Sequence, residues 1–110
     1  QTSRFDDEAL KMRAVRRSLK IKNISSILSR YYLRFHVIDQ PGVLSKISRV
    51  LGLHRISISD VIQKERSEGS VVPLILLTHD AHERDVRNAI SAIDRLRIVR
   101  GKSQVIRIEV

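Results

Sequence analysis

Asp39-Gln40-Pro41-Gly42-Val43-Leu44 marks the point where the chain changes its period. Before it, Tyr31–Ile38 alternates. Leu33, Phe35 and Val37 fall on one face and Arg34 and His36 on the other, which is the pattern of a half-buried strand. From Val43 onward, Leu44, Ile47, Val50 and Leu51 recur at helical spacing, with Lys46 and Arg49 opposite. The stretch between must end a strand and open a helix. Pro41 fixes φ, and Gly42 lets the backbone turn tightly. The amides of a helix's first turn lack intrahelical acceptors and attract carboxylates. Asp39 offers an acceptor for an ammonium group. An amino acid carries both charges. A tight βα turn with no ligand is the commoner use of a Pro-Gly pair, so spacing alone leaves both readings open.

The rest of the chain continues the pattern. Ile56–Lys64 has strand character, with Ile56, Ile58 and Ile62 on one side. Ser67-Glu68-Gly69-Ser70 is a hairpin turn. Val71–Thr78 is apolar almost throughout, as expected of an interior strand, and Pro73 lies near its start, where a missing donor is tolerated. Asp80-Ala81-His82-Glu83 resembles a capping box with Asp in place of Ser or Thr. Val86, Ala89, Ile90, Ile93 and Leu96 then follow at helical spacing, and a last strand covers Ser103–Val110, with Ile106, Ile108 and Val110 on one face. The order βαββαβ predicts an α+β, ferredoxin-like fold, a four-stranded antiparallel sheet with two helices on one face. Tyr32, Ile38, Val61, Leu74 and Leu76 are candidates for the other face, and apolar character there predicts a partner.

Composition narrows the function. The chain has 110 residues, enough for one domain, and 42% are apolar. It has no cysteine, so disulfide and thiol chemistry are excluded. The longest apolar run, Val71 to Leu77, is broken by Pro73 and falls far short of the ~18 residues a membrane span needs. The first residues are polar, with no signal peptide pattern, so a cytoplasmic site is expected; the first residue is Gln, as in a fragment. Net charge is +9, and residues 1–30 carry 8 Lys/Arg against 3 Asp/Glu. Residues 1–29 read as a linker or an appended basic helix, roughly Asp6 to Leu19, with a thin stripe of Leu10, Ala14 and Val15. Lys11 to Lys20 could contact phosphates. With no base-reading motif and only four aromatic residues, a solvated helix is the better reading and nucleic acid is not the expected partner.

Gly42, Gly52, Gly69 and Gly101 are scattered and form neither a dinucleotide fingerprint nor a phosphate loop. No activated nucleophile pattern is visible, so catalysis is not expected of this chain. The histidines and acids of His79-Asp80-Ala81-His82-Glu83-Arg84-Asp85 are metal-ligand types, but a structural site wants four ligands in a closed geometry and capping already accounts for Asp80 and Glu83; no metal site is expected.

Asp39-Gln40-Pro41-Gly42-Val43-Leu44, with Ile47, Val50, Leu51 and Ile56-Ser57-Ile58 after it, resembles the ACT-domain signature. Ser29-Arg30-Tyr31-Tyr32-Leu33-Arg34, Ile62-Gln63, Thr78-His79 with Glu83, and Ile106-Arg107-Ile108-Glu109 are similar to the C-terminal regulatory domain of bacterial homoserine dehydrogenases. The resemblance covers residues 30–110 and implies an amino-acid-binding allosteric domain sensing threonine, the pathway end product. It also implies a homodimer or higher assembly through sheet edge and helices. Carried over by position, effector contacts fall to Asp39, Gln40, Gly42, Val43 and Leu44 of one subunit and to Ile56, Ser57 and Ile58 of the facing one. The parent would be an NAD(P)-dependent enzyme, with cofactor and catalytic residues outside this chain. Some ACT domains only dimerise, and that alternative stays open, as does a basic nucleic-acid-binding fragment. Two departures stand out: His54-Arg55 where many ACT domains have Gly or Asn, and Ser57 where many serine-binding relatives have Asn.

Overall fold

The alternating run forms β1 (Leu28–Ile38), the strand on which the sheet is built. In this computed structural model residues 28–63 and 66–108 are described. The expected basic helix of the first 27 residues, the end of the second expected strand at Lys64, and Glu109-Val110 lie outside them. β1 is followed by α1 (Val43–Leu53), β2 (Ile58–Ile62), β3 (Val71–Thr78), β4 (Ala81–His82), α2 (Glu83–Ile93) and β5 (Gln104–Ile108). β1 pairs antiparallel with β3 on one side and with β5 on the other, and β2 pairs with β3, giving the order β2-β3-β1-β5. Both helices bury their apolar stripes against the same strand face. Val43, Ile47 and Leu51 of α1 and Val86, Ala89 and Ile93 of α2 join Tyr31, Leu33, Phe35 and Val37 of β1 in one core. The fold is the expected ferredoxin-like α+β arrangement.

The sheet has a fifth strand that the periodicity did not announce. β4 pairs Ser29 with Ala81 and Leu28 with His82, taking up the line of β3 after a break at His79-Asp80. At the break Thr78 replaces the missing ladder acceptor: the Tyr31 amide donates to its Oγ1 at 3.0 Å. Because β4 occupies Ala81–His82, α2 begins later than expected. Its N-cap is His82, without a side-chain cap bond, and the expected capping box at Asp80 does not form. Glu83 instead pairs with Arg87 at 3.3 Å, one helical turn on.

Two further expectations are corrected. Leu74 and Leu76 do not face outward; both are fully buried. Leu74 lies opposite Phe35 and Leu76 opposite Leu33, and residues paired across strands share a face. Tyr32 and Ile38 are half-buried on the side away from the helices, and Val61 is exposed on the edge strand β2. The second strand is also shorter than the expected Ile56–Lys64. Ile56 belongs to the exit from α1: its amide donates to Leu51 O and that of Arg55 to Gly52 O, both at 3.0 Å, and its side chain is buried.

This pair of bonds is a Schellman closure with Arg55 in the left-handed position that glycine usually takes, at φ 64°. Arg55→Gly should therefore raise stability, by up to about 1 kcal/mol, through relief of the left-handed strain. Urea denaturation midpoints check this.

Candidate functional site

The β1–α1 turn is pinned to the far end of the β2–β3 hairpin. The Asp39 amide donates to Ser70 O at 2.8 Å, and the Gly69 amide donates to Asp39 O at 2.9 Å. Gly42 caps α1 at φ 86°, a backbone conformation open to glycine and strained for other residues. Lys46 N donates to Gly42 O at 3.0 Å, which starts the helical ladder, while the amides of Leu44 and Ser45 have no acceptor among the described residues. These groups border a cavity of about 240 Å³ lined by Val37 through Ser45 together with Gln63, Arg66 and Val72. That is smaller than the ~300–1,000 Å³ of drug-sized ligand sites and suits a small polar molecule. Asp39, Gln40, Gly42, Val43 and Leu44 all line this cavity.

Asp39 differs from expectation in its surroundings. The residue is only 6% exposed, and its carboxylate is already engaged. Arg66 Nε donates to both oxygens, at 3.2 and 3.1 Å, and the Ser67 amide donates to Oδ2 at 2.7 Å. The hydrogen bond from Arg66, then that from Ser67, hold this carboxyl below the usual aspartate range. The sign follows. A carboxyl whose folded pKa is depressed adds stability above its unfolded pKa, about 3.9, and loses it as pH falls through the folded value. Thermal unfolding should therefore show an Asp39-dependent loss only below about pH 4, and Asp39→Asn should flatten that acid limb.

Ile56, Ser57 and Ile58 sit elsewhere. Ile56 is in the core, Ser57 is exposed with its carbonyl accepting from the His79 amide at 2.9 Å, and Ile58 is half-buried opposite Thr78. Asp39 lies beside Ser70, at the start of β3, and Ile58 beside its end. The eight steps from Ser70 to Thr78, at about 3.3 Å each, separate the two groups by roughly 26 Å. One chain does not bring both halves of the expected site together. Gln63 and Arg66, which also line the cavity, were not among the expected effector contacts. Arg66 is 27 residues from its partner Asp39, and nothing in the local pattern announces the pairing.

Among the described residues no group of three or more His, Cys, Asp or Glu is placed to hold a metal, and no helix is long and apolar enough to cross a membrane.

Residues 31–97 match the family model for the ACT domain. The chain belongs to the ACT domain family. The homoserine dehydrogenase of Methylobacillus glycogenes is 44% identical over 92 residues, which are 83% of this chain and 22% of that protein. The homoserine dehydrogenase of Thiobacillus denitrificans contains a region that superposes on the ACT domain with TM-score 0.69 and 41% identity, over 78% of this chain and 19% of that one. The ACT domain from the GTP pyrophosphokinase of Chlorobium tepidum, at 11% identity, shares the fold with TM-score 0.59, over 73% of this chain and all of that one. This ACT domain spans about a fifth of the length of the homoserine dehydrogenases it matches.

Proposed function

We propose that this ACT domain is the effector-sensing, C-terminal part of a homoserine dehydrogenase and that its effector is threonine. The observation that carries the reading is the cavity at the β1–α1 turn, in a chain 44% identical to a homoserine dehydrogenase over most of its length. The free first-turn amides supply donors for a carboxylate. Asp39, Gln40, Gly42, Val43 and Leu44 come from one copy and Ile56, Ser57 and Ile58 from a facing copy. The separation of these two groups along β3 supports a site shared across a homodimer, and β2 at the sheet edge leaves the exposed Ser57 and half-buried Ile58 where a copy can pair, with Ile56 packed in the core behind them. In this reading the NAD(P) cofactor and the catalytic residues belong to the remainder of a cytoplasmic parent enzyme. Effector binding would shift that enzyme between states by its differential affinity for them.

Thermal unfolding of the 110-residue chain across a panel of amino acids tests this. At a hundredfold excess over Kd, a ligand of the folded state adds about 2.7 kcal/mol, so threonine should raise Tm by several degrees and unrelated amino acids should not. A flat response across the panel would instead favour the ligand-free dimerisation module.

A further inference from the structure

We infer that Arg66 is the side chain that binds the effector's carboxylate, and that Asp39 is a positioning residue that holds Arg66 in place rather than the acceptor of the effector's ammonium. The inference rests on the effector-site reading above and says which groups of that cavity meet the ligand.

The two partners of the ion pair are not equivalent. Asp39 is 6% exposed and Arg66 is 70% exposed. All the donors on Asp39 come from within the chain: Arg66 Nε on both oxygens and the Ser67 amide on one. An ammonium group reaching that carboxylate would have to share it with the guanidinium and the Ser67 amide. Arg66 contributes only Nε to the pair. Its two terminal nitrogens have no partner among the described residues. Arg66 lines the 240 Å³ cavity with Gly42, Val43, Leu44 and Ser45, and also a second, wider depression of about 370 Å³ with Asp39, Gln40, Pro41 and Glu68. A guanidinium anchored through Nε keeps its terminal N–H groups for a second carboxylate, in the planar geometry that suits two-point recognition. The Asp39–Arg66 pair is neutral as a whole and Glu68 lines the outer depression, so what the site offers a ligand is hydrogen-bond donors: the terminal N–H groups of Arg66 and the first-turn amides of α1. The site thus selects first for a carboxylate. The ammonium falls to neutral acceptors such as the side chains of Gln40 and Gln63.

The experiment is calorimetric titration of the 110-residue chain and its variants with three probes: L-threonine, 2,3-dihydroxybutyrate, which replaces the ammonium by a hydroxyl, and 1-amino-2-propanol, which lacks the carboxylate. Threonine and the hydroxy acid should bind the unaltered chain and the amine should not. Arg66→Met should weaken threonine roughly tenfold or more, as expected for loss of a hydrogen bond to a charged group. Arg66→Lys should recover part of the loss. Asp39→Asn should weaken binding by less, and adding it to Arg66→Met should cost nothing further, because Asp39 acts through Arg66. Circular dichroism on each variant confirms that it is folded. If the unaltered chain binds threonine, but Arg66→Met binds it equally well while Asp39→Asn does not, Asp39 meets the ammonium directly and the Arg66 assignment is overturned. If the unaltered, folded chain binds no amino acid, the effector-site reading fails and this assignment fails with it.

Discussion

Phe35→Ala should remove about 3–5 kcal/mol of stability, the usual cost of deleting a buried aromatic side chain. Phe35 is fully buried at the middle of β1, paired with Leu74, in the core shared by both helices. Domains of this size are stable by only about 5–15 kcal/mol, so the variant should lose much of its folded margin. β1 has neighbours on both sides, and a cavity at its centre has little room to collapse without breaking the pairing with β3 and β5. Urea denaturation followed by circular dichroism measures the change. Ile106→Ala on β5, where the side chain is 56% exposed, should cost far less and serves as the control. Equal costs at the two positions would mean that the core is not centred on β1.

Thr78→Val should cost about 1–3 kcal/mol although it preserves shape, because it leaves a buried donor without its acceptor. Thr78 is fully buried, and its Oγ1 takes the Tyr31 amide at the break between β3 and β4. Its carbonyl meanwhile accepts from Arg30 Nε at 3.1 Å, and a terminal nitrogen of Arg30 reaches Ser59 Oγ at 3.2 Å. Thr78→Ser keeps the hydroxyl and should retain more stability than Thr78→Val. In hydrogen exchange, the Tyr31 amide should lose protection in Thr78→Val and keep it in Thr78→Ser. If the valine variant matches the parent in both measurements, the Tyr31 amide has another acceptor and the bond is not structural.

The architecture was legible because most elements carry a clean period. β1 alternates, α1 and α2 carry apolar stripes, and the Pro41-Gly42 pair lies where one pattern gives way to the other. Three features were hidden for physical reasons. Val71–Thr78 is apolar at nearly every position, so its inward face is decided by register against Phe35 and Leu33 and not by its own pattern. β4 is two residues long and depends on pairing with Leu28 and Ser29, a contact far away in sequence. Ile56 looked like strand because it is β-branched and apolar, but the closure of α1 through Arg55 claims it. At the site, the turn that gathers Asp39 through Leu44 is local and was readable. The ion pair that occupies Asp39 is long-range and was not. The charge pattern at Asp39 suggested an open acceptor for a ligand; the structure gives that acceptor to Arg66.

The most direct single measurement is calorimetric titration of L-threonine into the 110-residue chain at neutral pH. Effector sensing at the β1–α1 cavity predicts saturable heat, a stoichiometry of one threonine per chain, and no comparable heat from unrelated amino acids. A folded chain that gives no saturable heat with threonine or with any other amino acid would contradict the sensor reading.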